Sequence, residues 1–291
     1  MTDGGHANHQ HRRWRLSRPR HRLIPGSRRA TPADDRGGTF RPLCATSTGA
    51  IIALALAAGK TGAEIVTFYE RLGPRVFQPR PERKGRFGRL RDFLEHRARA
   101  RHGNVPLRAA LDEAFGALTL GDLRAAGKSV LITAFNISAG VPRIFKTDHA
   151  PGLILHDRYT VTDVAMASTA APTYLPIVEI KDPVSAVGER FCHGGMVTNS
   201  PALLGYAEAV SALGCRAEDV QILSLGTPRN DLAERPCALL PEQRPLNRGY
   251  AGWKYGEQIV SIAMDGGAKV NHFALERIAK ATGTFTGTRS E

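Results

Sequence analysis

The chain has 291 residues, of which 42% are hydrophobic, and it carries a formal net charge of +13. This length and this apolar content suit one large α/β domain or two small ones. The longest apolar run, of about nine residues, is too short to cross a bilayer, so the sequence argues against a membrane-spanning helix.

The cysteines give no sign of a disulfide framework or a metal site. There are four of them, far apart in the chain and without C-x-x-C spacing: Cys44, Cys192, Cys215 and Cys237. Such a pattern is typical of reduced thiols. The arginine-rich N-terminus also lacks the apolar core of a signal peptide. We therefore expect a cytoplasmic protein that holds no metal.

Most of the positive charge lies near the N-terminus. Residues 1–44 contain ten arginines, three aspartates and no lysine, a net charge of +7. This stretch has no steady hydrophobic period and contains several helix breakers, so residues 1–43 are predicted to be a disordered or aberrant basic segment. Aromatic residues are not interleaved with the basic ones, and no nucleic-acid partner is expected. A single domain is predicted over residues 44–280, followed by a tail at 281–291.

Helical patterns alternate with short apolar strands after residue 44, which predicts a layered α/β fold. Helices are predicted from the apolar run starting at Ile51, the capping-box spelling Thr61-Gly-Ala-Glu64 and the segments 104–116, 160–171 and 201–213. Strands are predicted at 128–137, 142–147, 176–180 and 189–192, with a further core strand at 220–225. The strands at 128–137 and 142–147 are close enough in sequence to form a hairpin.

The stretch ATSTGAIIALALAAG, residues 45–59, places Ser47 among small residues just before an apolar helix. This is the nucleophile-elbow pattern G-x-S-x-G, with Ala45 in place of the first glycine. On such a turn a serine hydroxyl is lifted clear of the chain, and the next backbone N–H can face a developing oxyanion. The alternative is that a serine or threonine here only caps a buried helix.

A second candidate stretch is FCHGGMVTNSPALLGYAEA, residues 191–209, in which a strand is followed by His193, two glycines, a loop and a helix. Adjacent glycines after a strand allow a backbone path that other residues cannot take. Side chains at such a point often face a cleft, which makes His193 a candidate site residue.

The chain resembles the patatin-like phospholipase family in these two stretches and in STAAPTYLP, residues 168–176, which occur in the family's order and spacing. The resemblance implies a three-layer α/β/α fold with a central, mostly parallel sheet. It also implies lipid acyl hydrolysis by a Ser-Asp dyad without a metal or other cofactor. The partners implied are a lipid or acyl-ester substrate and peripheral contact with a membrane.

Ser47 matches the family nucleophile, whereas His193 occupies the position of the family aspartate in D-G-G or D-G-A. A neutral imidazole is a common general base, so His193 could take over the aspartate's role. The alternative is that His193 fills the position without function, which would leave an inactive, lipid-binding relative. We predict an acyl hydrolase that uses Ser47 and His193.

The family's glycine-rich oxyanion loop is missing from its expected place, where Arg12-Arg13-Trp14 stands 33–35 residues before Ser47. These three residues can be encoded CGG-CGG-TGG, and a shift of one base turns this into glycine codons. We therefore hypothesise that residues 1–43 are translated out of frame.

Other residues resemble site residues without fitting the pattern. Asp265-Gly266-Gly267 also spells D-G-G, but it falls inside a predicted helix, and Asp3-Gly4-Gly5 lies near the N-terminus. Neither is expected to supply the base. Three histidines lack partners at metal-ligand spacing and are expected to be ordinary loop or surface residues: His149, His156 and His272.

Overall fold

We describe the chain from a computed structural model, which covers residues 42–76, 100–148, 156–226, 249, 253, 256–283 and 285–290. Its helices are α1 Thr48–Ala57, α2 Gly62–Val76, α3 Val105–Phe115, α4 Leu120–Ala125, α5 Val161–Thr169, α6 Ala202–Ser211 and α7 Glu257–Thr282. Its strands are β1 Leu43–Ala45, β2 Val130–Asn136, β3 Val141–Lys146, β4 Val178–Lys181, β5 Gly188–Cys192, β6 Gln221–Gly226 and β7 Phe285–Ser290. The predicted basic segment 1–43 falls almost wholly outside these ranges, as do His149 and Cys237.

Local signals in the sequence explain where several helices begin. At the start of α2 the predicted capping box is formed, since Thr61 N–H donates to Glu64 Oε2 at 2.7 Å and Glu64 N–H donates to Thr61 Oγ1 at 3.3 Å. A second capping box, which the sequence analysis missed, links Thr119 and Asp122 at the start of α4. These reciprocal bonds satisfy backbone donors that the first helical turn leaves without partners.

β2 is the central strand of a five-stranded sheet and uses both of its edges. One edge pairs with β3 along residues 131–136. The other edge pairs first with β1, parallel, at residues 130–132, and then with β5, antiparallel, at residues 135–136. β4 completes the sheet beyond β5. The end of β1 and the end of β5 therefore meet at one point along β2, near Thr133.

The α/β class is confirmed, but the sheet is mixed rather than mostly parallel. Within the described residues of this sheet, only β1 and β2 pair in parallel, while β2–β3, β2–β5 and β4–β5 pair antiparallel. The loops between β2 and β3 and between β4 and β5 are short. Short connections reverse the chain and permit only antiparallel neighbours, whereas a parallel neighbour needs a long crossover.

Helices cover both faces of the sheet. Phe145 of β3 belongs to the large apolar core formed with α1 to α5, whereas its neighbour Lys146 points to the other face, where its Nζ lies 2.6 Å from Glu208 Oε2 of α6. A smaller apolar cluster on that second face joins α6, α7 and the start of β6: Tyr206, Ala209, Val220 and Leu275. The three-layer α/β/α arrangement follows from this alternation.

The structure corrects one prediction near the C-terminus. The segment 220–225, predicted as a core strand, forms β6, which pairs in parallel with β7 in a separate two-stranded sheet. Ile222 packs on the α6–α7 cluster, but Leu223 and Leu225 on the other face are 69% and 73% exposed. β7 lies within the segment predicted as a tail. The error about 220–225 arose because strand pairing between distant segments leaves no local pattern.

The described residues are also predicted to have reduced cysteines, no membrane-spanning helix and no metal site. Cys44, Cys192 and Cys215 are free thiols. None of the helices in the described ranges is both long enough and apolar enough to pass through a bilayer. Those same ranges contain no group of three histidine, cysteine, aspartate or glutamate side chains arranged to hold a metal ion.

Candidate active site

Ser47 lies on the sharp turn between β1 and α1, with φ 56° and ψ −126°. Positive φ is rare for a residue with a side chain, and such conformations store about 1–3 kcal/mol of strain. Ser47 stands at the N-cap position, but its side chain makes no capping hydrogen bond. An ordinary N-cap serine has extended backbone angles and a hydroxyl bonded to the helix. The conformation therefore favours the elbow over a simple cap.

The backbone around Ser47 is held on both sides. Its N–H donates to the hydroxyl of Ser168, at the C-terminal end of α5, over 2.8 Å. Its carbonyl accepts from Ala50 N–H at 2.8 Å, which starts α1. The amides of Thr48 and Gly49 lie in the first turn, where N–H groups have no acceptor within the helix. They are available to an anionic ligand, and the N-terminal end of the helix dipole favours one.

His193 follows β5 directly, at the point where β1 and β5 meet along β2. The site has two arms, the elbow at Ser47 and the loop at His193, and Thr133 of β2 connects them. Its Oγ1 lies 2.8 Å from Thr46 Oγ1, beside Ser47, and 3.4 Å from the carbonyl oxygen of Gly194, beside His193. Thr46 Oγ1 also donates to the carbonyl of Thr198 at 2.9 Å. The structure thus brings the neighbours of the two predicted residues together on one threonine.

The backbone of His193 is fixed by hydrogen bonds, whereas its ring is enclosed. The N–H donates to the carbonyl of Ala170 at 3.0 Å, and the carbonyl accepts from Met196 N–H at 3.0 Å. The side chain is buried, and Nδ1 has no hydrogen-bond partner among the described residues. Burial disfavours the charged imidazolium and lowers the pKa of His193 from 6.5 to about 4. The ring is therefore neutral at physiological pH.

The two glycines after His193 allow this loop to close tightly. A Cβ on Gly194 would overlap the carbonyl oxygen of Thr133. A Cβ on Gly195 would lie 2.5 Å from Met264 Cε of α7 and 2.6 Å from Cε1 of the His193 ring. Neither position could hold a larger residue without displacing its neighbours. The glycines are needed for the close approach of this loop to β2 and to Met264 of α7.

The other residues singled out in the sequence have partners of their own. Asp265 lies inside α7, as predicted, and its carboxylate pairs with Lys269 at 2.6 Å. His272 lies on the same helix and pairs with Glu276. His156 is in a loop but is half-buried: its Nδ1 accepts from Lys146 N–H at 3.2 Å. Burial, helped by nearby cations, lowers its pKa from 6.5 to about 4.

Sequence reasoning missed the residues that support the site. Ser168 and Ala170 bind the backbones of Ser47 and His193, yet their stretch, STAAPTYLP, was noted only as part of the resemblance. Thr133 lies in an apolar strand with nothing to distinguish it from a packing residue. A polar side chain inside a fully buried strand is a usable signal, because such a group needs a hydrogen-bond partner.

Comparison with known proteins gives consistent results. A family model described as "Patatin-like phospholipase" matches residues 13–205, a range that begins inside the basic N-terminal segment. The chain is 34% identical over 218 residues to a "cGAMP-activated phospholipase" of Pseudomonas aeruginosa, covering 75% of this chain and 59% of that protein. It is 30% identical over 252 residues to a protein of the same name from Vibrio cholerae, covering 83% of this chain and 66% of the relative.

A plant protein also matches. The chain is 26% identical over 217 residues to "Patatin-like protein 2" of Arabidopsis thaliana, covering 67% of this chain and 52% of the relative. The chain thus spans between about three-fifths and two-thirds of the length of the two bacterial relatives.

Proposed function

The chain belongs to the patatin-like phospholipase family, and from this we propose that it hydrolyses acyl esters of lipids with Ser47 as the nucleophile and His193 as the general base. The observation that carries the proposal is the conformation of Ser47. Its φ of 56° and its uncapped hydroxyl are the features a nucleophile elbow requires. A residue that merely began a helix would have no reason to hold this strain.

The reaction follows from the groups on the two arms. A ring nitrogen of His193 accepts the proton of Ser47 Oγ as that oxygen attacks the acyl carbonyl. The imidazolium then returns the proton to the departing alcohol, which leaves an acyl ester on Ser47. Water, deprotonated by the same ring, attacks this ester and releases the fatty acid and free Ser47.

The oxyanion formed at each addition step would accept hydrogen bonds from the first turn of α1, where Thr48 N–H is the nearest candidate. Each such donor contributes about 2.7–4 kcal/mol to stabilising a transition state of this kind. The family's glycine-rich loop, which would add further donors, has no counterpart in the sequence. We therefore infer a slow hydrolase.

The proton affinity of His193 supports its proposed role. With a pKa of about 4, the buried imidazole is about as basic as an ordinary aspartate carboxylate, whose reference pKa is about 3.9. The two bases differ in charge. Burial disfavours the charged imidazolium, and this already accounts for the low pKa of His193. An aspartate buried at the same place would instead have its pKa raised, because burial disfavours the charged carboxylate. His193 is thus a usable base and a weaker one than aspartate.

The names of the bacterial relatives suggest control by a nucleotide. The relatives from Pseudomonas aeruginosa and Vibrio cholerae are both named for activation by cGAMP. We infer that cGAMP also activates this chain, and that the chain acts in the cytoplasm on lipids it meets by peripheral contact with a membrane. Assays without cGAMP would then underestimate its activity.

A second candidate function, binding lipid without hydrolysis, is favoured by one observation. Nδ1 of His193 has no hydrogen-bond partner among the described residues, so no bond at this nitrogen orients the ring. Catalytic histidines depend on such an orienting partner. If the ring does not meet Ser47 productively, the cleft would bind an acyl chain and leave it intact.

Release of fatty acid from phosphatidylglycerol vesicles, measured with and without cGAMP, tests the proposal. We expect hydrolysis by the wild type that rises with cGAMP, and at least a thousandfold loss in Ser47→Ala, because nucleophile and base act as a unit. Equal hydrolysis by the two proteins would rule out Ser47 as the nucleophile. Vesicle binding without hydrolysis under either condition would favour the lipid-binding alternative.

A further inference from the structure

Ser168 is an unusual contact of the elbow, because it reaches the nucleophile residue itself. It lies near the C-terminal end of α5 and is fully buried. Its Oγ accepts the Ser47 N–H over 2.8 Å, although the two residues are 121 positions apart in the chain. Side-chain hydrogen bonds to the backbone of a strained residue are well placed to hold that strain.

The amide of Ser47 has no partner in regular structure. It follows β1, whose ladder with β2 ends at Ala45, and it precedes the first turn of α1. A half-buried amide without an acceptor costs about 1–3 kcal/mol. Ser168 provides the acceptor, so the turn keeps its unusual φ without leaving an unsatisfied backbone group.

The same end of α5 also positions the other arm of the site. Two residues after Ser168, the carbonyl of Ala170 accepts the N–H of His193 at 3.0 Å. One short segment therefore sets the backbone positions of both Ser47 and His193. Among the described residues, the Ser168 hydroxyl makes no other hydrogen bond, so its visible role is to accept from Ser47.

We propose that Ser168 is a positioning residue, which holds the elbow in register with the His193 loop by accepting the Ser47 N–H. The inference rests on the proposed function for its effect on rate. Its structural part, the hydrogen bond, can be measured without any turnover. A shift of about 1 Å in a reacting group can lower the rate about a hundredfold. We therefore expect that losing this hydrogen bond lowers mainly kcat.

The test uses two substitutions on the same helix. Ser168→Ala removes the acceptor. Thr162→Val is the matched control, because Thr162 is also buried on α5 and its Oγ1 has no partner among the described residues. Ser168→Cys, which keeps a similar volume but offers only a weak acceptor, covers the case in which Ser168→Ala does not fold. Circular dichroism confirms folding of each protein.

Two readouts separate the inference from the proposed function. The first is hydrogen exchange of the Ser47 amide, observed by NMR, which we expect to be at least tenfold faster in Ser168→Ala and unchanged in Thr162→Val. The second is ester hydrolysis in the presence of cGAMP. Here we expect kcat to fall by about ten- to a hundredfold in Ser168→Ala with KM changed less than about twofold, and Ser168→Cys to lie between it and the wild type.

Unchanged protection of the Ser47 amide in folded Ser168→Ala and Ser168→Cys would overturn the inference. So would a kcat equal to that of the wild type. If no protein in the series hydrolyses esters but the amide loses its protection as expected, the hydrogen bond is supported and the proposed function fails instead.

Discussion

The elbow and the His193 loop are held in place by different means. At the elbow, the N–H and carbonyl of Ser47 both have hydrogen-bond partners, and the side chain makes no capping hydrogen bond to the helix. At the loop the backbone is also bonded, but the side chain is enclosed by close contacts with Gly195, and its Nδ1 has no partner among the described residues. Hydrogen bonds therefore fix the backbone in both places, and packing in addition holds the side chain of His193.

This difference predicts which substitutions alter both stability and chemistry and which alter the chemistry alone. Hydrogen bonds fix direction, so the backbone of Ser47 keeps its orientation whether or not a ligand is bound. Packing fixes the position of the His193 ring but does not fix its protonation state. Burial sets the pKa of the ring and therefore its strength as a base. Substitutions in the His193 loop should therefore alter the chemistry and the acid stability together, whereas those at the elbow should alter the chemistry with little effect on stability.

The largest expected effect is on the base itself. His193→Ala should lower kcat by about a hundred- to ten-thousandfold, the usual contribution of a general base. His193→Asp should raise kcat above the wild-type value by about tenfold, because the carboxylate is neutralised rather than charged when it accepts the proton. Steady-state hydrolysis with cGAMP measures both.

The control is the double variant His193→Asp with Ser47→Ala, which should be as inactive as Ser47→Ala alone. A His193→Asp enzyme slower than the wild type would mean that the site is fitted to an imidazole. In that case the packing of the loop, rather than the charge of its base, limits the rate.

The next effect is on stability at acid pH. The unfolded chain protonates its histidines near pH 6.5, but folded His193 and His156 have pKa values of about 4. The free energy of unfolding should therefore fall as the pH decreases from 6.5 to 4, by up to about 3 kcal/mol for each histidine. Urea unfolding at several pH values measures this, and His156→Gln should remove about half of the histidine contribution. An equal pH dependence in that variant would contradict the burial of His156.

A smaller effect is expected from adding a methyl group to the loop. Gly195→Ala would place a Cβ against Met264 and the His193 ring, and such overpacking costs about 1–3 kcal/mol. The matched control is Gly266→Ala on α7, where a Cβ meets nothing within 4 Å. It should stabilise the helix by up to about 1 kcal/mol. Thermal unfolding distinguishes the two, and equal shifts in Tm would contradict the packing of the loop.

The smallest expected effect is a difference in stability between two substitutions of Ser47. Ser47→Gly relieves the positive φ, whereas Ser47→Ala keeps a Cβ there. Both should be inactive, and Ser47→Gly should be the more stable by about 1 kcal/mol. If Ser47→Ala were the more stable of the two, the turn would not be strained.

The sequence predicted most of the local structure and both candidate residues. The apolar run after Ser47 and the Thr61–Glu64 capping box are short-range signals, and α1 and α2 form where these signals place them. The glycines after His193 indicated a tight loop, and the close contacts at Gly194 and Gly195 are consistent with it.

What the sequence could not predict depends on contacts between distant segments. The pairing of β6 with β7 joins residues about sixty positions apart. The low pKa of His193 comes from burial in a loop packed against α7, which lies far along the chain. The hydrogen bond from Ser47 to Ser168 depends on where α5 ends relative to β1. None of these relations has a periodicity or a motif, so only the folded chain reveals them.

The central claim is that Ser47 is a nucleophile activated by a buried, neutral His193. The most direct test is the rate at which a fluorophosphonate labels Ser47, identified by mass spectrometry, at about pH 5.5 and about pH 7.5 with cGAMP present. Because a histidine of pKa about 4 is neutral at both values, the account predicts labelling of Ser47 at rates equal within about twofold. Labelling that is about tenfold slower at the lower pH, as an ordinary histidine would give, or no label on Ser47, would contradict it.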